Sequence, residues 1–135
     1  MKRSPLKRKT PLRKRSAKTL TAELDKLFSK YIRQHGKCEA AGYEYNGRVI
    51  ACSDRLECAH LKSRRHKAIR WDPINARCLC NSHHRFFTEH PDEWTRWNEA
   101  RAPGIWDWLN RALLEGYGGE KEALEWLEHY KRCVK

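Results

Sequence analysis

Apolar residues near the start of the chain recur every three or four positions, which is the spacing of one face of a helix. These positions are Leu20, Leu24, Leu27, Phe28 and Ile32. Thr19 or Thr21 can cap such a helix, and His35 followed by Gly36 would end it. The pattern predicts a helix over residues 21–34, within an N-terminal helical segment of residues 21–36.

The last third of the chain, residues 91–135, repeats the helical spacing in three segments. Pro91 and Pro103 mark the starts of two helices, because proline is favoured in a first helical turn. Glycines at 116, 118 and 119 end the second helix, and a third helix follows them. The apolar positions are Trp94, Trp97, Ile105, Trp106, Trp108, Leu109, Leu113, Leu114, Ala123, Leu124, Leu127 and Tyr130. Their spacing favours core packing over base stacking.

Residues 37–90 contain shorter apolar runs that are typical of strands. Asn46 followed by Gly47 is a turn signal, and it predicts a hairpin between residues 43–45 and 49–50. Two more strands are predicted over residues 56–61 and 76–79, and Asn81 can cap a short helix that runs through Phe87. The expected fold class is therefore α+β and mostly helical.

The charge balance indicates what kind of partner the protein binds. The 135 residues include 29 Lys and Arg against 17 Asp and Glu, a net charge of +12. Such an excess predicts a polyanionic partner, because Lys and Arg neutralise phosphates and release counterions. The alternative partner is a membrane surface. The chain shows no long apolar run and no secretory signal, so we expect a soluble, cytoplasmic protein that binds nucleic acid and not membrane.

The positive charge is concentrated in two segments. Residues 1–20 contain no acid and cannot bury enough apolar surface to order themselves, so we expect a disordered basic arm that lies along DNA phosphates. The alternative is a solubility or localisation tail. A basic loop, residues 62–70, separates the two later strands. The candidate DNA contacts are Lys7, Arg8, Lys9, Arg13, Lys14, Arg15, Lys62, Arg64, Arg65, Lys67 and Arg70.

Six Cys and seven His are many for a chain of this length. Without a secretory signal, metal ligation is favoured over disulfides. Cys80 and His83 have the spacing of a metal knuckle, which requires a second pair of ligands elsewhere. Cys38 and Cys52 are the candidates for that pair, with Cys58 as a third option. A structural metal would also help a small basic domain to fold.

A more specific pattern lies between residues 57 and 84. A histidine, His60, ends a short apolar strand, Asn75 follows on the next loop, and a Cys-x-x-His-His cluster of residues 80–84 comes five positions later. This region resembles phage-type HNH (ββα-metal) endonucleases, most closely NinG/Rap-type recombination nucleases and their small phage relatives. The matching segments are residues 57–61 (ECAHL), 64–65 (RR), 69–75 (IRWDPIN) and 79–84 (LCNSHH).

The resemblance implies a role for each of three residues. His60 would be the general base that takes a proton from water, and Asn75 would fix its orientation through backbone hydrogen bonds. His84 would be the main ligand of a catalytic divalent ion, Mg²⁺, Mn²⁺ or Zn²⁺, which stabilises charge on the phosphate. The resemblance thus implies a DNA nuclease of phage recombination or replication, encoded by a phage or prophage and acting in the bacterial cytoplasm.

The resemblance also implies how the chain is divided. Zinc-containing members place their first ligand pair before the strand hairpin, which favours Cys38 and Cys52 as partners of Cys80 and His83 in a structural zinc site. The expected organisation is a disordered arm over residues 1–20, a helix within 21–36, a zinc-containing ββα-metal core over 37–90 and a C-terminal helical extension over 91–135.

Two positions depart from the family pattern. Many HNH proteins carry an acidic or histidine ligand immediately before the base, and Ala59 stands there instead. In a regular strand Glu57 points to the opposite face from His60, so it could replace that ligand only if the strand end bends. The alternative is that Glu57 is a solvated acid at the strand edge. A second ligand position four residues after the helical histidine holds Thr88, and His90 could serve in its place.

Three functions compete on these observations. The first is an HNH endonuclease, a phosphodiester hydrolase, which is favoured by the joint presence of His60, Asn75 and His84. The second is a zinc-containing nucleic-acid-binding module without catalytic activity, which is favoured by Ala59. The third is a structural protein that binds a partner through its tryptophan-rich C-terminal helices.

Overall fold

A computed structural model describes residues 17–116 and 119–134, which form five helices and two small antiparallel sheets. The expected α+β, mostly helical class is confirmed. In chain order the elements are α1 (Ala17–Arg33), β1 (Glu44–Tyr45), β2 (Arg48–Val49), β3 (Leu56–His60), a 3-10 turn (Pro73–Asn75), β4 (Ala76–Cys80), α2 (Asn81–Glu89), α3 (Pro91–Arg101), α4 (Ile105–Glu115) and α5 (Glu120–Cys133).

The first helix begins earlier than the sequence predicted. α1 starts at Ala17, so residues 17–20 belong to the helix and not to the basic arm. The reason is Leu20, which lies one turn before Leu24 and is only 5% exposed, so that the apolar stripe extends the helix backwards. The remainder of the predicted arm, residues 1–16, lies outside the described residues.

The main core lies between α1 and α5. Leu24 and Phe28 of α1 pack against Leu127 and Tyr130 of α5, and all four are buried. The Tyr130 hydroxyl donates a hydrogen bond of 2.5 Å to the carbonyl of Trp71, which ties α5 to the loop before β4. The predicted apolar stripe of the last two helices is partly wrong, because the side chains at 114 and 124 are 86% and 45% exposed.

The predicted hairpin at Asn46 and Gly47 is confirmed. β1 and β2 pair antiparallel around these two residues, which have φ values of 52° and 77°. Positive φ at both central positions is what a tight two-residue hairpin turn requires. The strands are only two residues long each, so this hairpin is a small appendage to the core.

The second sheet positions the candidate site. β3 and β4 pair antiparallel with Leu56 opposite Cys80 and His60 opposite Ala76, and β4 leads directly into α2. Alternate residues face opposite sides of this sheet. Ala59 and Leu79 pack towards Phe87 of α2, whereas Ala76 and Cys78 pack towards α1. The sheet is therefore enclosed between α1 and α2.

The start of α2 differs from the prediction that Asn81 caps it. Cys80 is the capping residue, because its Sγ accepts a hydrogen bond of 3.3 Å from the backbone N–H of His83. Asn81 is the first helical residue, and its side chain is turned away to donate to Glu57 at 3.1 Å. The capping residue therefore belongs to the same knuckle that sequence spacing identified.

The predicted core role of the tryptophans holds in α3. The rings of Trp94 and Trp97 both lie 5.2 Å from the ring of Phe87, centroid to centroid. Trp108 of α4 differs, since it is 37% exposed. The tryptophans of α3 thus extend the hydrophobic core that supports α2.

Candidate metal centre and adjoining cavity

Four predicted ligands come together at one end of the sheet. The ligand atoms of Cys38, Cys52, Cys80 and His83, called here the Cys3His cluster, all lie within 4.8 Å of one another. The three Sγ atoms are 3.6, 3.6 and 3.0 Å from His83 Nδ1. Metal–sulfur and metal–nitrogen bonds of about 2.3 and 2.0 Å in a tetrahedron would place S and N about 3.5 Å apart. The cluster therefore fits a four-coordinate metal ion, and Cys58 is not part of it.

Four separate segments supply these ligands. Cys38 follows α1, on a loop that is tied to β4 by a 2.8 Å hydrogen bond from the Glu39 N–H to the Cys78 carbonyl. Cys52 lies between β2 and β3, where the neighbouring Ser53 hydroxyl accepts from the first turn of α2 at 2.9 Å. Cys80 and His83 lie at the junction of β4 and α2. A metal ion here would therefore cross-link the loop after α1, the loop before β3 and the β4–α2 junction.

The thiols of the cluster differ in their acidity. Burial alone would raise the pKa of Cys80, but hydrogen bonds from His83 and Ser53 outweigh burial and lower this pKa to about 6. Partial burial and neighbouring thiols raise the pKa of Cys38, and raise that of Cys52 to about 12. A bound divalent cation favours the thiolate form of every ligand. Metal binding should therefore release protons from this cluster.

A cavity of about 630 Å³ lies between α1 and the start of α2. Three of the predicted catalytic or metal-binding residues line this one cavity: Glu57 and His60 from β3, and His84 from α2. The alternation of β3 predicted opposite faces for Glu57 and His60. Both nevertheless reach the cavity, which extends along the strand past Leu56 and Cys58.

His60 is held in a defined orientation. Its Nε2 lies 3.0 Å from the backbone carbonyl of Arg70, and its ring lies 5.5 Å from that of the buried Phe28. Because a carbonyl can only accept, Nε2 carries the hydrogen and Nδ1 is left as the acceptor in the neutral ring. Burial lowers the pKa of His60, which favours the neutral ring at pH 7.

Asn75 does not line the cavity, and its side chain contacts the backbone of the loop that follows His60. The fully buried amide accepts a 2.7 Å hydrogen bond from the Lys62 N–H and donates to the carbonyls of Lys62 and Ile69 at 3.1 and 3.2 Å. These are backbone contacts of the kind the family resemblance implied. They connect the two ends of the loop that carries Arg70 and so support the acceptor of His60.

Glu57 and His84 form a close pair. Glu57 Oε1 lies 2.8 Å from His84 Nδ1, while Oε2 accepts from Asn81 at 3.1 Å and lies 3.4 Å from Arg55. The hydrogen bond from His84 is the main reason why the pKa of Glu57 is below its usual value. Both carboxylate oxygens of Glu57 therefore have polar partners. Nε2 of His84 is the ring nitrogen that is not in contact with Glu57.

The tentative role of His90 as a ligand of the catalytic ion stays a prediction. His90 does not line the cavity with His84. Its Nδ1 donates to the Phe86 carbonyl at 2.8 Å, and its ring stacks on Phe86 with centroids 4.2 Å apart. The physical reason is its place at the end of α2, where a φ of −130° turns the chain away from the helix.

The basic loop is less uniform than its sequence suggested. Arg64, Arg65 and Lys67 are exposed, but the side chain of Arg70 is only 14% exposed and is paired with Asp25 of α1. We therefore remove Arg70 from the set of candidate phosphate contacts. Its partner lies 45 positions away in the sequence, so local charge could not reveal this pairing.

Sequence reasoning missed two arginines that line the cavity. Arg33 lies near the end of α1 and Arg55 lies just before β3. Together with Arg64 they form what we call the arginine rim. A signal for the first was present, because Asp25, Ser29 and Arg33 are spaced by four and therefore share one helix face.

Comparisons with protein-family models, with curated proteins and with solved structures found no match for the chain. The described part, residues 17–116 and 119–134, contains no helix with the length and apolar content needed to cross a membrane. The functional assignment therefore rests on the geometry of the cluster and of the cavity, together with the resemblance of residues 57–84.

Proposed function

We propose that the chain is a metal-dependent DNA endonuclease with a ββα-metal (HNH-type) active site. The observation that carries the proposal is the shared cavity: His60 from the end of β3 and the Glu57–His84 pair face it together. Asn75 fixes the loop behind His60, as the family resemblance implies. A binding module built only on the Cys3His cluster would need none of these four residues.

His60 fits the role of general base. A base must be unprotonated at the working pH, and burial lowers the pKa of His60. The hydrogen bond to the Arg70 carbonyl assigns the proton to Nε2 and leaves Nδ1 to accept a proton from water. The ring is also fixed by its contact with Phe28, so little reorientation is needed before proton transfer.

His84 fits the role of metal ligand, oriented by Glu57. Metal-binding histidines usually donate their second N–H to a carboxylate, and the 2.8 Å contact between His84 Nδ1 and Glu57 is of this kind. His84 would then hold a divalent ion through Nε2. When bound, that ion would supply Lewis-acid stabilisation of the charge that develops on the phosphate. Glu57 would act mainly through His84, because both of its oxygens already accept hydrogen bonds.

The arginine rim fits a phosphodiester substrate. Its members come from three different segments and line the same cavity as His60. The side chains of Arg55 and Arg64 are 74% and 61% exposed, so they are accessible to a ligand. Guanidinium groups bind phosphate oxygens through paired hydrogen bonds, irrespective of base sequence. The exposed Arg65 and Lys67 of the basic loop would extend this contact along the DNA backbone.

The Cys3His cluster fits a structural zinc ion. Three thiolates and one imidazole in a tetrahedral arrangement favour zinc over oxygen-preferring cations. Cys80 caps α2 and His83 lies in its first turn, immediately before His84. Zinc bound there would order the start of α2, and through it the position of His84 in the cavity.

One observation favours the alternative, a nucleic-acid-binding module without catalysis. Ala59 is 1% exposed and packs in the core, so β3 offers no metal ligand immediately before His60. Among the described residues, only the Cys3His cluster brings together three or more metal-ligating side chains. Under this alternative the chain would bind DNA with the arginine rim and leave it intact.

Nicking of supercoiled plasmid separates the two functions. The wild-type protein should cut when Mg²⁺, Mn²⁺ or Zn²⁺ is supplied and should stop with a chelator that removes the exchangeable ion. His84→Ala should be slower by on the order of 10²-fold or more. His35→Ala is the matched control, because His35 is exposed and does not line the cavity. Cutting by His84→Ala at the wild-type rate, or binding without any metal-dependent cutting, would contradict the proposal.

A further inference from the structure

We propose that Asp25 of α1 is a positioning residue that sets the orientation and protonation of His60 through Arg70. The inference rests on the proposed function, since it assigns a helper to the proposed base. Asp25 lies 35 positions before His60 in the sequence and outside the region that resembles HNH nucleases. It lines the same cavity as His60.

The first step is the anchoring of Arg70 by Asp25. Asp25 Oδ1 accepts from Arg70 Nε at 3.0 Å and from the indole N–H of Trp71 at 2.8 Å, while Oδ2 accepts from Arg70 Nη2 at 2.6 Å. The two-pronged geometry fixes the guanidinium plane as well as its distance. The Arg70 and Asp25 side chains are only 14% and 23% exposed, so solvent screens this pair weakly.

The second step runs from Arg70 to His60. The carbonyl of Arg70 is the acceptor for His60 Nε2 at 3.0 Å. Arg70 also donates from Nη1 to the Arg64 carbonyl at 2.8 Å, a hydrogen bond between two residues of the same loop. Arg70 is therefore held through its side chain while its backbone holds the imidazole. Release of the side chain would free the carbonyl to rotate and would remove the preference for the Nε2–H form.

The third step is electrostatic. The charged groups facing His60 are Asp25 from α1 and Arg64 and Arg70 from the loop; Phe28, the other α1 residue against the ring, is uncharged. The two guanidinium groups disfavour a protonated imidazole, whereas the carboxylate favours it. Asp25 therefore stabilises the positive charge that His60 would acquire on taking a proton from water.

A purely structural role would predict a different outcome, because Asp25 also links α1 to the loop. If Asp25 only joined these elements, its loss would lower the melting temperature without changing the imidazole of a protein that stays folded. If it positions His60, the tautomer and the titration of His60 must change. ¹⁵N NMR of histidine-labelled protein measures both quantities directly, with or without nuclease activity.

The test compares Asp25→Asn, Arg70→Lys and the control Asp107→Asn in the full-length chain purified without chelator. Asp107 is an exposed acid on α4. Wild type and the control should show neutral His60 as the Nε2–H form. Asp25→Asn should show a mixture of both tautomers, and its titration midpoint should move to lower pH because a negative charge is removed. Arg70→Lys keeps one charged contact with Asp25. Its His60 tautomer ratio and titration midpoint should therefore change in the same direction as in Asp25→Asn, but by less.

Wild-type tautomers and midpoints in both folded variants would overturn the inference. If Asp25→Asn does not fold, Arg70→Lys decides the matter alone, with the same two readouts. Cleavage gives a second measurement: at saturating protein, Asp25→Asn should cut bound DNA about 10- to 100-fold more slowly. DNA affinity is measured separately, because Asp25 also lies 3.6 Å from Arg64 of the arginine rim. An inactive wild-type protein would refute the proposed function and leave the NMR comparison valid, so the two failures are distinguishable.

Discussion

A single imidazole carries the proposed chemistry, and its neighbours determine its state. His60 is partly buried against Phe28, donates from Nε2 to a carbonyl and has its pKa lowered by burial. A free histidine would be partly protonated near neutral pH, and so only partly competent as a base. The environment of His60 thus matches what a general base requires.

The lowered pKa predicts the pH dependence of cleavage. The protonated form of His60 cannot act as a base, so the rate on bound DNA should fall as pH decreases through the pKa of His60. The midpoint of this acid limb should lie below the ordinary histidine value of about 6.5, and the rate should be level near pH 7. Single-turnover rates from pH 5 to 8 would measure it. A midpoint at or above 6.5 would contradict the assigned environment.

The Cys3His cluster predicts a metal requirement for folding. Cys80→Ser removes a ligand that is fully buried and also caps α2, so the domain should lose its zinc and unfold. Metal analysis and circular dichroism would report the two losses together. Cys133→Ser is the matched control, because Cys133 is a free thiol outside the cluster. Wild-type protein that contains no tightly bound zinc would contradict the structural site.

Residue roles could be predicted from the sequence where the determining spacing is local. Cys80 and His83 are three residues apart, so the closeness of their ligand atoms could be predicted from the sequence alone. Arg70 could not be interpreted in this way, because its buried partner Asp25 comes from a distant helix. Sequence spacing also did not show that the chain leaves the axis of α2 at His90, so that His90 does not line the cavity with His84.

At the scale of elements, the loop between β3 and β4 determines the geometry of the cavity. Its ends are joined by the Asn75 amide, and its middle is anchored to α1 through Arg70. A strand pair alone would fix the position of His60 but not the direction of its ring. The loop is therefore the element through which α1 contributes to the site.

Asn75→Ala should weaken this loop measurably. The substitution removes three hydrogen bonds of a fully buried amide and leaves their backbone partners unsatisfied, which should lower the free energy of unfolding by about 2–4 kcal/mol. Urea denaturation would measure the change, with the exposed Asn110→Ala as control. Zinc content should stay the same, because Asn75 is not in the Cys3His cluster. Unchanged stability would show that the amide does not hold the loop.

Element types were more predictable than their boundaries. The period of apolar residues predicted α1, α3 and α5, and the Asn46–Gly47 turn predicted the first hairpin. The start of α1 was missed, because whether Leu20 is buried depends on α5, which packs against it from the other end of the chain. The cap of α2 was missed because cysteine is not a common capping residue outside metal knuckles.

At the scale of the whole molecule, positive charge and the cavity lie in the same region. The arginine rim lines the same cavity as His60, and the exposed Arg65 and Lys67 follow Arg64 on the basic loop. The predicted arm would add further phosphate contacts, independent of base sequence. DNA binding and cleavage should therefore be separable by substitutions outside the cavity.

Removal of residues 1–16 should weaken DNA binding without destabilising the domain. For every phosphate that the shortened chain no longer neutralises, the slope of log affinity against log salt should flatten by about 0.9 on duplex DNA. Removal of residues 1–20 should also destabilise the domain by about 1.5–3 kcal/mol, because it takes away the buried Leu20. An unchanged salt slope would show that the arm is a solubility or localisation tail.

The most direct test of the endonuclease proposal is the single-turnover cleavage rate of His60→Ala on labelled DNA, measured at protein concentrations that saturate binding. Loss of a general base should slow the reaction by about 10²- to 10⁴-fold while zinc content, folding and DNA affinity match wild type. The exposed His35→Ala should cut at the wild-type rate. Cleavage by folded His60→Ala as fast as by wild type would show that this cavity is not where the phosphodiester bond is hydrolysed.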